Sequence, residues 1–139
     1  MEKIDCFDGE FDFLSNFYES TIYHDGIKYP TVEHAFQAAK TMDLNERIKI
    51  ANMNTPGKAK RAGRKVALRP DWEQVKFEVM KELITIKFLN PDLKAKLLAT
   101  KNAELVEGNT WNDTCWGVCK GIGQNNLGKI LMEVRENLK

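Results

Sequence analysis

The chain has 139 residues, with 21 Lys and Arg against 20 Asp and Glu for a formal net charge of +1. A hydrophobic content of 42% and a charged content of 29% fit one globular domain over residues 1–139, large enough to bury a core without disulfides or metal. The balance excludes a disordered chain and a protein held to nucleic acid by general phosphate neutralisation. No apolar run approaches the roughly 20 residues of a membrane-spanning helix.

The first segment, MEKIDCFDGEFDF, is acidic and aromatic and lacks the basic region and apolar stretch of a secretion signal. With Cys6, Cys115 and Cys119 as an odd set of thiols, the expectation is a cytoplasmic protein with reduced cysteines. Cys115 and Cys119 with His24 and His34 fall short of a structural zinc pattern, so neither a metal nor a cofactor is expected. No obligate protein partner is evident.

Residues 21–29 (TIYHDGIKY) predict a β-hairpin turning at Asp25-Gly26, the residue types that tolerate positive φ. Thr31 is a candidate N-cap for a helix whose Val32, Ala35, Phe36 and Ala39 form one apolar stripe. Asp43 is placed to cap a second helix through about Ala51, and Thr55-Pro56 to open a third, basic one ending near Lys65. Asp71 is read as the cap of the longest helix, with Trp72, Val75, Val79, Met80, Leu83 and Ile84 inward and Asn90-Pro91 as its stop. A short helix follows from Asp92. Short strands are expected near 104–106 and 117–119, before a last helix carrying Leu127, Ile130, Leu131, Val134 and Leu138 at helical spacing. The fold class this predicts is α+β, several helices packed around a small β-sheet.

Four clusters carry chemistry. Glu33, Gln37 and Lys40, at i, i+4 and i+7, share a helix face different from that of the apolar stripe. A carboxylate, an amide and an amine on one face suit acid–base work or stabilisation of an oxocarbenium-like centre, with Lys40 as phosphate contact or nucleophilic amine. The plainer reading of that spacing is a solvated helix face. Ser15, Asn16 and Phe17 form a loop of short polar residues between aromatics, suited to gripping a ligand or to satisfying its own backbone. In residues 108–117 Trp111 and Trp116 bracket Asp113, ahead of Gly117; the rings offer stacking platforms and the carboxylate an acceptor, or else all three serve core and turn. Arg64 and Lys65, in the basic run with Lys58, Lys60 and Arg61, are candidates for a phosphate, as are the backbone N–H groups of the glycine-rich stretch 121–128.

Read together, FLSNFY at 13–18, YPTVEHAFQAAK at 29–40, AGRKV at 62–66, DWEQVKFEVMKELITIKF at 71–88, LLATKNAELVEG at 97–108, DTCWGV at 113–118 and NNLGKILMEVRE at 125–136 resemble the NADAR family, in that order and over nearly the whole chain. The resemblance implies a compact α+β fold and hydrolysis of the bond between ribose C1′ and a base nitrogen. The implied substrate is a phosphorylated ribosylamino-pyrimidine intermediate of riboflavin synthesis, or ADP-ribosylated guanine in nucleic acid. It implies catalytic roles for Glu33, Lys40 and Asp113, and substrate contacts from Ser15, Asn16, Phe17, Gln37, Arg64, Trp111, Trp116, Gly117, Asn126 and Gly128. The alternative is a module that binds ADP-ribose or NAD without turnover.

Overall fold

A computed structural model describes residues 2–139. In chain order the elements are β1 (Lys3–Ile4), a 3-10 turn (Gly9–Leu14), β2 (Ile22–His24), β3 (Ile27–Tyr29), α1 (Val32–Ala39), α2 (Leu44–Ala51), α3 (Pro56–Gly63), α4 (Trp72–Lys87), α5 (Pro91–Ala99), β4 (Glu104–Leu105), β5 (Gly108–Asn109), β6 (Val118–Cys119) and α6 (Asn126–Asn137). The α+β class holds, but the small sheet is three separate two-stranded pairs among the described residues. Each strand has only two or three residues, too few to recruit a third partner. The chain groups into two compact units, one from the N-terminal residues through Ser15 with Phe88–Lys139, the other Asn16–Lys87.

In the Asn16–Lys87 unit, β2 and β3 form the predicted antiparallel hairpin, Ile22 opposite Tyr29, with Asp25 and Gly26 at φ 50° and 80°. Thr31 caps α1 by accepting from the His34 N–H at 3.1 Å, Asp43 caps α2 and Thr55 caps α3, each as expected from the local sequence. α3 stops at Gly63 rather than near Lys65, with Arg64 as its C-cap. Asp71 directs its carboxylate to the Arg69 guanidinium, at 2.7 and 3.1 Å, and only its carbonyl reaches α4. α1 runs through the middle of this unit, touching α2, α3, α4 and the hairpin. Ala35, Ala38 and Ala39 let those neighbours approach closely, and Phe36 stacks obliquely on Trp72 at 5.0 Å.

In the other unit, β1 runs parallel to β4 (Lys3 opposite Glu104) and β5 parallel to β6 (Gly108 opposite Val118). Asn90 caps α5 by accepting from the Asp92 and Leu93 N–H groups, so the Asn90-Pro91 pair opens α5 one residue before the expected Asp92 start. Leu93 and Leu97 of α5, Leu105, and Leu127, Leu131 and Val134 of α6 are buried with Phe13 and Phe88, whose rings meet edge-on at 6.4 Å. Arg135 is also buried, donating to the Thr100 hydroxyl at 2.9 Å.

Candidate active site

Every residue of α1 is buried, including its polar ones. Glu33 is 7% exposed and Gln37 5%, so the face they share is not a solvated one. A buried carboxylate is costly unless something holds it. Gln37 does: its side-chain amide donates to Glu33 Oε1 at 2.8 Å, one helical turn along. The Glu33 backbone N–H, an orphan donor of the first turn, is taken by the Asn16 carbonyl at 3.1 Å. That bond ties the Ser15–Phe17 loop's Asn16 to α1, while the Asn16 amide donates weakly to Met80 Sδ at 3.6 Å.

Two side-chain acceptors in this unit stay unsatisfied: Asn16 Oδ1 and Gln37 Oε1, both buried and without a hydrogen-bond partner. Such atoms are uncommon in folded proteins and mark places where a ligand donor is accommodated or strain is held. Gln37 Oε1 lies against Gly63 of α3, where any Cβ would collide with it. Sequence reading missed Gly63 as a determinant of this face. Its only signal was a glycine in a helix interior, normally a destabilising choice.

Lys40 follows at the C-terminal end of α1, half-buried, with its carbonyl accepting from the Arg69 N–H at 2.7 Å. Its pKa is lowered from the ordinary 10.5, chiefly by burial, with Glu33 opposing and Arg64 and Lys60 adding to the lowering. Arg64 is exposed and Lys60 half-buried, and both bear on Lys40 through their charge. The structure therefore brings Asn16, Glu33, Gln37, Lys40 and Arg64 into one unit, and adds Lys60. Phe17, also here, is 44% exposed.

His34, set aside at the sequence level, is an internal strut of α1. Its Nε2 lies 3.0 Å from the Met53 carbonyl and its Nδ1 2.8 Å from the Thr31 hydroxyl. The carbonyl can only accept, so Nε2 carries the proton and Nδ1 accepts from Thr31. Burial holds its pKa below the usual 6.5, which suits this neutral tautomer.

The remaining candidates lie in the other unit. Asp113 accepts the Trp116 N–H on Oδ1 at 2.9 Å, and its own N–H donates to Asn109 Oδ1 at 3.1 Å. Asn109 in turn donates to the Asp113 carbonyl and to Glu107 Oε2, at 2.9 and 3.1 Å. Asn109 and Glu107 are organisers of this loop that sequence reading did not single out. Gly117 is needed because a Cβ there would collide with the Glu107 carbonyl and carboxylate. The backbone N–H groups of Gln124 to Leu127, candidates for an anion, donate instead to the carbonyls of Thr114 to Gly117. Asn126 donates to the Cys115 carbonyl at 2.8 Å, and Gly128 is buried against the Leu105 carbonyl. Ser15 is half-buried, Trp116 likewise, and Trp111 is 58% exposed. Among the described residues no three His, Cys, Asp or Glu side chains gather as a metal site.

This arrangement can be compared with known proteins. The NADAR domain model matches residues 6–139. The chain is 45% identical over 129 residues to N-glycosidase YbiA of Escherichia coli strain K12, covering 90% of this chain and 80% of that protein. It is 37% identical to N-glycosidase Npun_R5314 of Nostoc punctiforme, covering 91% and 85%. It is 39% identical to riboflavin biosynthesis protein VVA0006 of Vibrio vulnificus, covering 91% of this chain but 35% of that larger protein. The NMR structure of E. coli YbiA superposes with a TM-score of 0.86 at 41% identity, covering 99% of this chain and 86% of that one. A family model spanning nearly the whole sequence, relatives matched over most of their length and a shared fold agree: the chain belongs to the NADAR domain family.

Proposed function

We propose that this protein is an N-glycosidase, cleaving the bond between ribose C1′ and a base nitrogen, and that the Glu33–Gln37–Lys40 face of α1 does the chemistry. The observation that carries this is the buried Glu33 carboxylate, fixed by Gln37 at 2.8 Å and followed two turns later by an amine whose pKa is lowered. Relatives named N-glycosidase support the reaction class, and relatives named riboflavin biosynthesis proteins favour a phosphorylated ribosylamino-pyrimidine over ADP-ribosylated guanine.

In this mechanism Arg64 and Lys60 take the sugar phosphate. They act on Lys40 through their charge and offer two cations to a phosphate. Glu33 then takes the proton of the Lys40 ammonium and gives it to the ribose ring oxygen as the C1′–O4′ bond breaks, the lone pair of the base nitrogen closing a C1′=N iminium. In its neutral form Lys40 adds its lone pair to C1′ of the ring-opened sugar. A proton passes from Lys40 Nζ through Glu33 to the base nitrogen, the C1′–N bond breaks, the base leaves with that electron pair and proton, and a Lys40 imine remains. Water adds to the imine and returns the free amine and a ribose phosphate. The lowered pKa of Lys40 favours this covalent route over direct attack of water on an oxocarbenium ion, in which Lys40 would be only a charge.

The test is incubation with a ribosylamino-pyrimidine phosphate and, separately, with ADP-ribosylated guanosine, reading released base by chromatography. Borohydride is added during turnover. A reduced adduct mapped to Lys40 supports the imine; turnover with no adduct refutes the covalent route. Release of base from neither substrate counts against the glycosidase reading.

A further inference from the structure

The basic run at the sequence level divides in space, and three of its five cations have no part in the chemistry above. Lys60 and Arg64 of α3 bear on Lys40, whereas Lys58, Arg61 and Lys65 line a separate groove that runs between α3 and α2. The groove encloses a cavity of about 420 Å³, within the range of small-ligand sites. Lys49 of α2 joins the three cations, and Glu46 is the one carboxylate among the lining residues. Glu46 meets Lys49 only at 3.9 Å, with the Lys49 side chain 73% exposed, and cancels little of the charge. Lys58, Arg61 and Lys65 have no ion-pair partner among the described residues.

The lining also has an apolar floor of half-buried Met53 and Ala62, with Ile50 buried beside them at 1% exposure. A basic rim over an apolar floor differs from a merely solvated charged face, where aliphatic side chains would not be gathered beneath. At a rise of about 1.5 Å per residue Lys58 and Arg61 stand about 4.5 Å apart along α3, Lys65 lies beyond the helix end at Gly63, and Lys49 joins them from α2. Cations from both sides of the groove suit a phosphate with an attached ring, or successive phosphates. The Met53 thioether and the Ala62 methyl make a small surface on which a flat base can lie.

We propose that this α2–α3 groove is a second ligand site, distinct from the Glu33–Lys40 face, that binds a nucleotide: phosphate on Lys58, Arg61, Lys65 and Lys49, base over Met53 and Ala62. Its source is either a free nucleoside diphosphate or a stretch of single-stranded nucleic acid, since both offer phosphate and base together.

The experiment is a binding titration of the whole chain, read without turnover, against ADP, a five-nucleotide single-stranded DNA and inorganic phosphate. ADP or the oligonucleotide should bind, and inorganic phosphate at least ten-fold more weakly. Lys58→Glu with Arg61→Glu should weaken that binding at least ten-fold, and Arg64→Ala should change it less than three-fold. The milder pair Lys58→Ala with Arg61→Ala should move it in the same direction, with thermal unfolding of both pairs matching the wild type. A strand that neutralises three cations should lose affinity with salt at a log–log slope of about −2, whereas ADP binding as tightly as the oligonucleotide identifies the free nucleotide. Three results overturn the proposal: no binding of ADP or oligonucleotide, phosphate binding as well as ADP, or loss of binding in Arg64→Ala but not in the Lys58 and Arg61 variants.

Discussion

Gly63 of α3 stands so close to Gln37 of α1 that a Cβ on it would fall 2.8 Å from Gln37 Cδ and 2.9 Å from its Cβ, and would overlap Oε1. The missing methyl therefore decides where the Gln37 amide sits, and that amide holds Glu33. Gly63→Ala should push Gln37 off Glu33. Gly63 is the last residue of α3, so only part of the gain of up to about 1 kcal/mol that alanine has over glycine in a helix interior applies; overpacking costs about 1–3 kcal/mol, and a net loss of stability is expected. kcat should fall at least ten-fold. Thermal unfolding and turnover of the same preparation check both; a variant more stable than wild type with full activity contradicts the account.

Gln37→Leu removes the donor to Glu33 while keeping bulk against Gly63. A buried carboxylate that loses a hydrogen bond costs about 1–3 kcal/mol, and activity should fall with KM changed less than kcat, because Gln37 acts through Glu33. Steady-state kinetics measure the split. An effect confined to KM would make Gln37 a substrate contact instead.

Lys40 should trade stability for chemistry. Its folded-state pKa lies below the unfolded 10.5, so between those two values the unfolded chain binds more protons and stability rises with pH. Below the folded pKa, the charged amine carries the full burial cost. Lys40→Met should therefore unfold at a higher temperature than wild type at pH 7, the difference shrinking as pH approaches 10.5, while turnover is lost. Melting curves from pH 7 to 10.5 check the sign; a less stable variant at pH 7 contradicts it.

His34 runs the same linkage at acid pH. Its folded pKa is lowered from 6.5, so the unfolded chain takes up the proton first as pH falls below 6.5. Stability from this group is complete above pH 6.5, declines from there to the folded pKa, and is flat below it. His34→Gln should flatten that segment of the curve, as measured by denaturant unfolding between pH 7 and 4.5.

Much of this was legible because it is local. Thr31, Asp43 and Thr55 cap the helices they precede, and Asp25-Gly26 turns the hairpin, since each effect acts within three residues. The pairing of Lys3 with Glu104 and the separation of the strands into isolated pairs depend on contacts a hundred residues apart, which short strands do not announce. At the candidate site the residue types at 33, 37 and 40 were legible, but their burial was not. Glu33 and Gln37 look like a wet face until α2, α3 and α4 surround α1. The Gly63 contact and the spent N–H groups of 124–127 needed coordinates as well.

Asp113→Asn preserves an oxygen that accepts from the Trp116 N–H, so the loop and the melting temperature should be kept. If the carboxylate charge takes part in turnover, as the family resemblance implies, kcat should fall about 100-fold, within the range of removing one acid–base group. Asp113→Ala should lose stability as well, by about 1 kcal/mol for one hydrogen bond. Full activity in the Asn variant would leave Asp113 with the loop alone.

The central claim is that Glu33 performs the chemistry, and Glu33→Gln tests it most directly. The substitution keeps shape and keeps an oxygen to accept from Gln37 Nε2, while removing the charge and the proton transfer. Single-turnover release of base from a ribosylamino-pyrimidine phosphate, measured beside equilibrium binding of the same compound, separates chemistry from affinity. The account predicts binding within about three-fold of wild type and base release slowed by about two orders of magnitude or more, the scale of a lost general acid–base. Base release at the wild-type rate would contradict it.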